Sequence, residues 1–124
     1  MQGTPIGSKA TLTLSTSDSS NIIDPTYDYV NAGTLHLYAR GSAATVLVNL
    51  FVSGIQICNR LIVPFFGTTG ALSTSDHLVA SARTLGGRVV CTFAATTGTP
   101  TVDALLTFEG VLFGGALSRI FGRR

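Results

Sequence analysis

Few residues in this 124-residue chain are of the types that do chemistry, and their spacing limits what they can do. His36 and His77 are the only histidines. Asp76-His77 has the composition of a catalytic pair, but neighbours on a strand point to opposite faces. No Gly-x-Ser-x-Gly elbow accompanies them. Asp24 and Asp28 flank Pro25-Thr26-Tyr27 in a turn-rich stretch. They lack the dense oxygen ligands and closing glutamate of a calcium loop, and an Asx turn is the competing reading. Glu109 stands in an apolar run from Leu105 to Phe113 and shares a face with Leu105, Thr107 and Val111. A carboxylate there needs a partner, and Arg40, Arg60, Arg83 and Arg88 are the candidates. Asp103 is the nearest second carboxylate for acid–base work on a glycoside, at a spacing that carries little weight by itself.

Cys58 and Cys91 stand alone, with no Cys-x-x-Cys and no clustered histidine to make a metal site. Cys91 shares a face with Val89 and Phe93, as a small buried hydrophobe would. A disulfide between the two is open if their strands face each other. No phosphate-binding glycine loop occurs. These residues specify no reaction, and neither a metal nor an organic cofactor is implied.

The elements that must position these residues read as strands. Thr and Ser number 28 and Gly 14, while Glu, Lys and Gln are scarce. That composition favours strand over helix. Apolar residues alternate with hydroxyls from Ala10 to Thr16. From Thr34 to Arg40, Leu35, Leu37 and Ala39 take one face and His36, Tyr38 and Arg40 the other. Further strands are expected over 44–52, 55–63, 77–84, 88–95 and 102–113. Turn residues separate them, and Ser53-Gly54 and Gly86-Gly87 are suited to tight hairpins. Seven or eight strands without a helix predict an antiparallel β-sandwich, jelly-roll-like, with an immunoglobulin-like sandwich as the alternative. Residues 1–9 form an N-terminal arm in this reading, 10–113 the sandwich and 114–124 a flexible basic tail. Leu14-Ser15-Thr16-Ser17-Asp18 recurs as Leu72-Ser73-Thr74-Ser75-Asp76, either by duplication or by chance in a Ser/Thr-rich chain.

Charged residues make up only 11%, against roughly 25% in ordinary domains. This argues against an acidic disordered chain and a dedicated nucleic-acid binder. The net charge is +2, yet three of the eight basic residues lie in the last nine positions. Val46–Val52 and the run from Leu61 to Phe66 are apolar on both faces, so a loop, a neighbouring strand or another subunit must cover them. The N-terminus carries no secretory signal pattern, and no apolar run reaches the roughly 20 residues of a membrane helix. Assembly in a cytoplasm, without a membrane partner, is the simplest expectation. After Gly114-Gly115, Leu117, Ile120 and Phe121 fall on one side of a helical turn, with Arg119, Arg123 and Arg124 beside them. Arg119, Ile120, Phe121, Arg123 and Arg124 are thus the candidates for docking or for weak contact with an anionic partner such as nucleic acid.

The run Ala32-Gly33-Thr34-Leu35-His36-Leu37-Tyr38-Ala39-Arg40-Gly41, the strand Gly54-Ile55-Gln56-Ile57 and the loop Gly67-Thr68-Thr69-Gly70-Ala71-Leu72-Ser73 resemble small β-sandwich virion proteins of bacteriophages. That group includes minor capsid, decoration and tail-associated proteins. The resemblance implies a non-enzymatic structural protein of a virion, a homo-oligomer that also docks on major capsid or tail proteins, assembled in the host cytoplasm. Phe51, Phe65, Phe66, Tyr38 and Arg40 are the expected subunit or partner contacts, since interface cores favour aromatics and arginine over lysine. The alternatives are a carbohydrate-binding sandwich using Tyr27, Tyr29 and Tyr38 with Asp24, Asp28 and Arg40, a tail or adhesion component, and a hydrolase built on His77.

Overall fold

A computed structural model describes residues 3–63 and 77–113, with the side chains of 111–113 left aside. The described residues form seven strands and no helix: β1 (Thr4–Thr13), β2 (Tyr29–Gly41), β3 (Val46–Val52), β4 (Ile55–Ile62), β5 (Leu78–Thr84), β6 (Gly87–Ala95) and β7 (Thr101–Phe113). All pairing is antiparallel, in the order β1-β7-β2-β6-β3-β4, with β5 on β2. The all-β, antiparallel fold expected from the alternation is therefore present. The expected arm is not separate over Thr4–Lys9, which pairs with β7. Its sequence, Thr-Pro-Ile-Gly-Ser-Lys, has no period-two signal because only Ile6 supplies a large apolar side chain to the core.

Alternation sorts side chains into one hydrophobic cluster. Leu35, Leu37 and Ala39 of β2 join Val102, Ala104, Leu106 and Phe108 of β7. Val46, Val48, Leu50 and Val52 of β3 join Val89, Cys91, Phe93 and Ala95 of β6 in the same cluster. β3 is a central strand, paired with β4 on one edge and β6 on the other. Its opposite face carries Leu47 and Asn49, both buried, and Phe51, half-buried.

Ser53 and Gly54 both have positive φ, at 53° and 80°, and close the β3–β4 hairpin as a type I′ turn. Gly86 and Gly87 do something else. β5 ends with Thr84 opposite Gly33, and β6 begins with Gly87 opposite Val30 on the same edge of β2. The two strands are one run along β2, and the run then leaves to pair with β3. The glycines, at φ 115° and 128°, make this bend rather than a hairpin. A Cβ on Gly87 would lie 2.5 Å from Cβ of Ser53, so the bend also packs against the hairpin.

Two bulges share one device. Ala10 and Thr11 oppose Asp103, and Asn59 and Arg60 oppose Asn49. Thr11 and Arg60 have positive φ, at 55° and 49°. The backbone N–H of each donates to the Asx oxygen opposite, at 2.6 Å to Asp103 Oδ1 and 2.9 Å to Asn49 Oδ1. The side chain thus replaces the ladder carbonyl that the bulge displaces.

The Ser- and Asn-rich segment 15–22 covers the second edge of β6. Ser19 N–H donates to Phe93 O and Ile22 N–H to Cys91 O, at 2.7 and 3.0 Å. In return Phe93 N–H donates to Ser19 Oγ and Cys91 N–H to Asn21 Oδ1, at 2.9 and 2.8 Å. Part of the hydroxyl and amide content therefore satisfies an internal sheet edge. The first Leu-Ser-Thr-Ser-Asp copy leads into this segment; the second lies outside the described residues.

Candidate functional site

The face of β2 away from the cluster presents Thr34, His36 and Tyr38 in consecutive rows. β5 sets Arg83 opposite Thr34 and Ser81 opposite His36. β7 sets Glu109 opposite Thr34 and Thr107 opposite His36. Strand pairing alone thus brings a serine, a histidine and a carboxylate from three strands to one place.

The three are hydrogen-bonded in series. His36 Nε2 lies 2.9 Å from Glu109 Oε1, and Ser81 Oγ lies 3.0 Å from His36 Nδ1. An ionised carboxylate only accepts, so Nε2 carries the proton that faces it. In the neutral ring Nδ1 is then the acceptor for the Ser81 hydroxyl. The imidazole is held at both nitrogens and is largely shielded, with 11% of its side chain exposed against 48% for Glu109. Ser81 is exposed. Tyr38 flanks the ring, with centroids 6.4 Å apart and planes tilted by 34°. Thr107 Oγ1, beside His36 on β7, is buried without a hydrogen-bond partner among the described residues.

Glu109 therefore takes a histidine where the sequence pointed to an arginine. The register decides this, because Glu109 lies diagonal to His36 while Arg83 is two strands away in its row. Arg88 instead meets Asp28 at 3.4 Å. Asp24 Oδ1 accepts from Thr26 N–H at 2.9 Å, the Asx turn. His77 is buried, and its carbonyl accepts from Ala39 N–H at 2.9 Å; Asp76 lies outside the described residues. Among the described residues no three His, Cys, Asp or Glu side chains are grouped to hold a metal.

Tyr38, expected at a subunit or sugar contact, is buried at 3% exposure inside the chain. Leu105 of β7 and Leu78 of β5 stand beside it in its row. Arg40 is half-buried on β2 opposite Asp103, and Phe51 is half-buried on β3. Phe65, Phe66, Arg119, Ile120, Phe121, Arg123 and Arg124 lie outside the described residues.

Cys58 and Cys91 are both free, and both pair with Leu50 from opposite sides. That places them two strand spacings apart, about 9.6 Å, too far for a disulfide. Burial pushes both thiols up from their ordinary pKa, and Cys58 nearby pushes Cys91 further.

A second candidate surface lies between the Ser53-Gly54 hairpin and the end of β5. Val52, Ser53, Ile55, Ile57, Arg83, Thr84, Leu85 and Gly86 line an apolar groove of about 360 Å³. Leu85 is 96% and Ile55 71% exposed. Leu61 and Ile62, further along β4, are exposed as well.

No protein-family model, curated protein or solved structure matches the chain.

Proposed function

We propose that this chain is a structural subunit of a bacteriophage particle, a capsid or capsid-decorating protein that associates with further copies of itself. The carrying observation is the pair of exposed side chains, Leu85 and Ile55, in one apolar groove. Leucine and isoleucine left in water in the same groove lose apolar contact that a second copy would restore. The groove takes its lining from β3 and β4 on one side and from β5 and the bend after it on the other. A second copy seated there would also approach the β4 strand, where Leu61 and Ile62 are exposed. The low charge fits the same reading, since few charged groups would have to be desolvated. Particle membership rests on the resemblance of 32–41, 54–57 and 67–73 to virion proteins, and on this surface. The sugar-binding alternative loses a stacking platform, because Tyr38 is buried, Tyr27 is half-buried and Tyr29 is 53% exposed.

Sedimentation velocity over a wide concentration range tests association. Dimers or larger species that dissociate on dilution are the expected result. A compact monomer at every concentration overturns it.

A further inference from the structure

We propose that Ser81 is an activated nucleophile, with His36 as its general base and Glu109 orienting the ring, and that it accepts acyl groups from small carboxylic esters.

The three residues stand 45 and 73 positions apart in sequence and meet only through the β5–β2–β7 register. Each has the accessibility its role needs. The nucleophile is exposed, the base is largely shielded from water, and the acid reaches the far nitrogen of the ring. Both ring bonds are within the roughly 2.6–3.2 Å reach of proton transfer. The ring is turned relative to the usual triad, since Nδ1 faces the serine and Nε2 the acid. Such constellations are recognised by roles and geometry, and either nitrogen can serve as base when the other carries its proton. Ser81 is exposed while His36, Tyr38 and Thr107 beside it are buried, which restricts the site to small acyl donors that reach the serine from its exposed side.

Chemically, Ser81 Oγ bonds to the ester carbonyl carbon as its proton passes to His36 Nδ1. Glu109 stabilises the resulting imidazolium. The tetrahedral adduct collapses, the carbon–alkoxide bond breaks, and the departing alcohol takes the proton from Nδ1. Water then attacks the acyl-Ser81 ester, its proton passes to Nδ1, and that proton returns to Ser81 as the acid leaves. Ester and water become acid and alcohol, and no other reactant is needed.

This inference does not depend on self-association. All three groups belong to one chain, and none of them lines the apolar groove.

The test is labelling of the full chain with a fluorophosphonate probe, followed by peptide mass mapping. One adduct, on Ser81, is expected; it is lost in Ser81→Ala. His36→Gln is expected to slow labelling by about 100-fold or more, in line with loss of a general base. Glu109→Gln keeps the side-chain length and is expected to give an intermediate rate. Circular dichroism and urea midpoints separate chemistry from folding; Ser81→Ala, at an exposed site, should keep the spectrum and lower the midpoint only by the loss of its one bond to His36 Nδ1. A purely structural network would shift the midpoint of His36→Gln and leave labelling alone. No adduct on Ser81 in the unmodified chain, or labelling of folded Glu109→Gln and His36→Gln at the rate of the unmodified chain, overturns the proposal.

Discussion

At the scale of single residues, register decides whether a polar group is satisfied or stranded. His36 and Thr107 are opposite each other, yet His36 makes two side-chain bonds and Thr107 Oγ1 makes none among the described residues. A buried hydroxyl without a partner carries its desolvation cost uncompensated. Thr107→Val keeps the shape and removes the hydroxyl, so it should stabilise the fold by about 1–2 kcal/mol in urea denaturation. The two cysteines supply a pH prediction. Folding raises both thiol pKa values by burial. The folded thiols keep their protons at a pH where the unfolded ones, with pKa about 8.5, ionise. The unfolded state then binds fewer protons, so stability present below about pH 8.5 falls as pH rises above it. Urea midpoints from about pH 7 to about pH 10.5 should decline, and Cys91→Ala should flatten the slope. Cys91 should also resist alkylation until the chain unfolds.

Among the elements, the bend at Gly86-Gly87 has the largest consequence. It carries one run of chain from the edge of β2 to the edge of β3 and so joins the two groups of strands. Gly87→Ala meets both a φ of 128° and a 2.5 Å clash with Ser53, and should cost about 2 kcal/mol or more. Gly98 also has positive φ, at 74°, but a Cβ there would meet nothing within 4 Å. Gly98→Ala should cost only about 1 kcal/mol. Thermal denaturation of the two variants checks the ranking. The glycine pair was visible in the sequence as a turn, but its role was not. A hairpin and a sheet-switching bend need the same positive φ, and only the strand on each side tells them apart.

For the whole molecule, the question is which surfaces the fold finishes for itself. Segment 15–22 covers the outer edge of β6 with serine and asparagine groups. The groove near Leu85 and Ile55 has no such cover among the described residues. If a second copy fills it, Leu85→Glu should shift association toward monomer by about tenfold or more, since a carboxylate would be desolvated in an apolar contact. Light scattering of Leu85→Glu beside the unmodified chain checks this. The change lies on an almost fully exposed side chain, so the urea midpoint should barely move.

By itself the sequence determined the strands that alternate, and it missed Thr4–Lys9 of β1, which does not. Period-two alternation is a local property, and it placed Leu35, Leu37 and Ala39 on one face and His36 and Tyr38 on the other before any partner was known. The Ser53-Gly54 turn was legible for the same reason, because φ preference belongs to the residue itself. Tertiary structure alone decided the meetings. Ser81 is one of 11 serines, and nothing near it in sequence marks it out. Its bond to His36, and the bond from His36 to Glu109, depend on which strands lie side by side and in what register. Those choices are made by packing the shared hydrophobic cluster, a property that no short stretch of sequence contains.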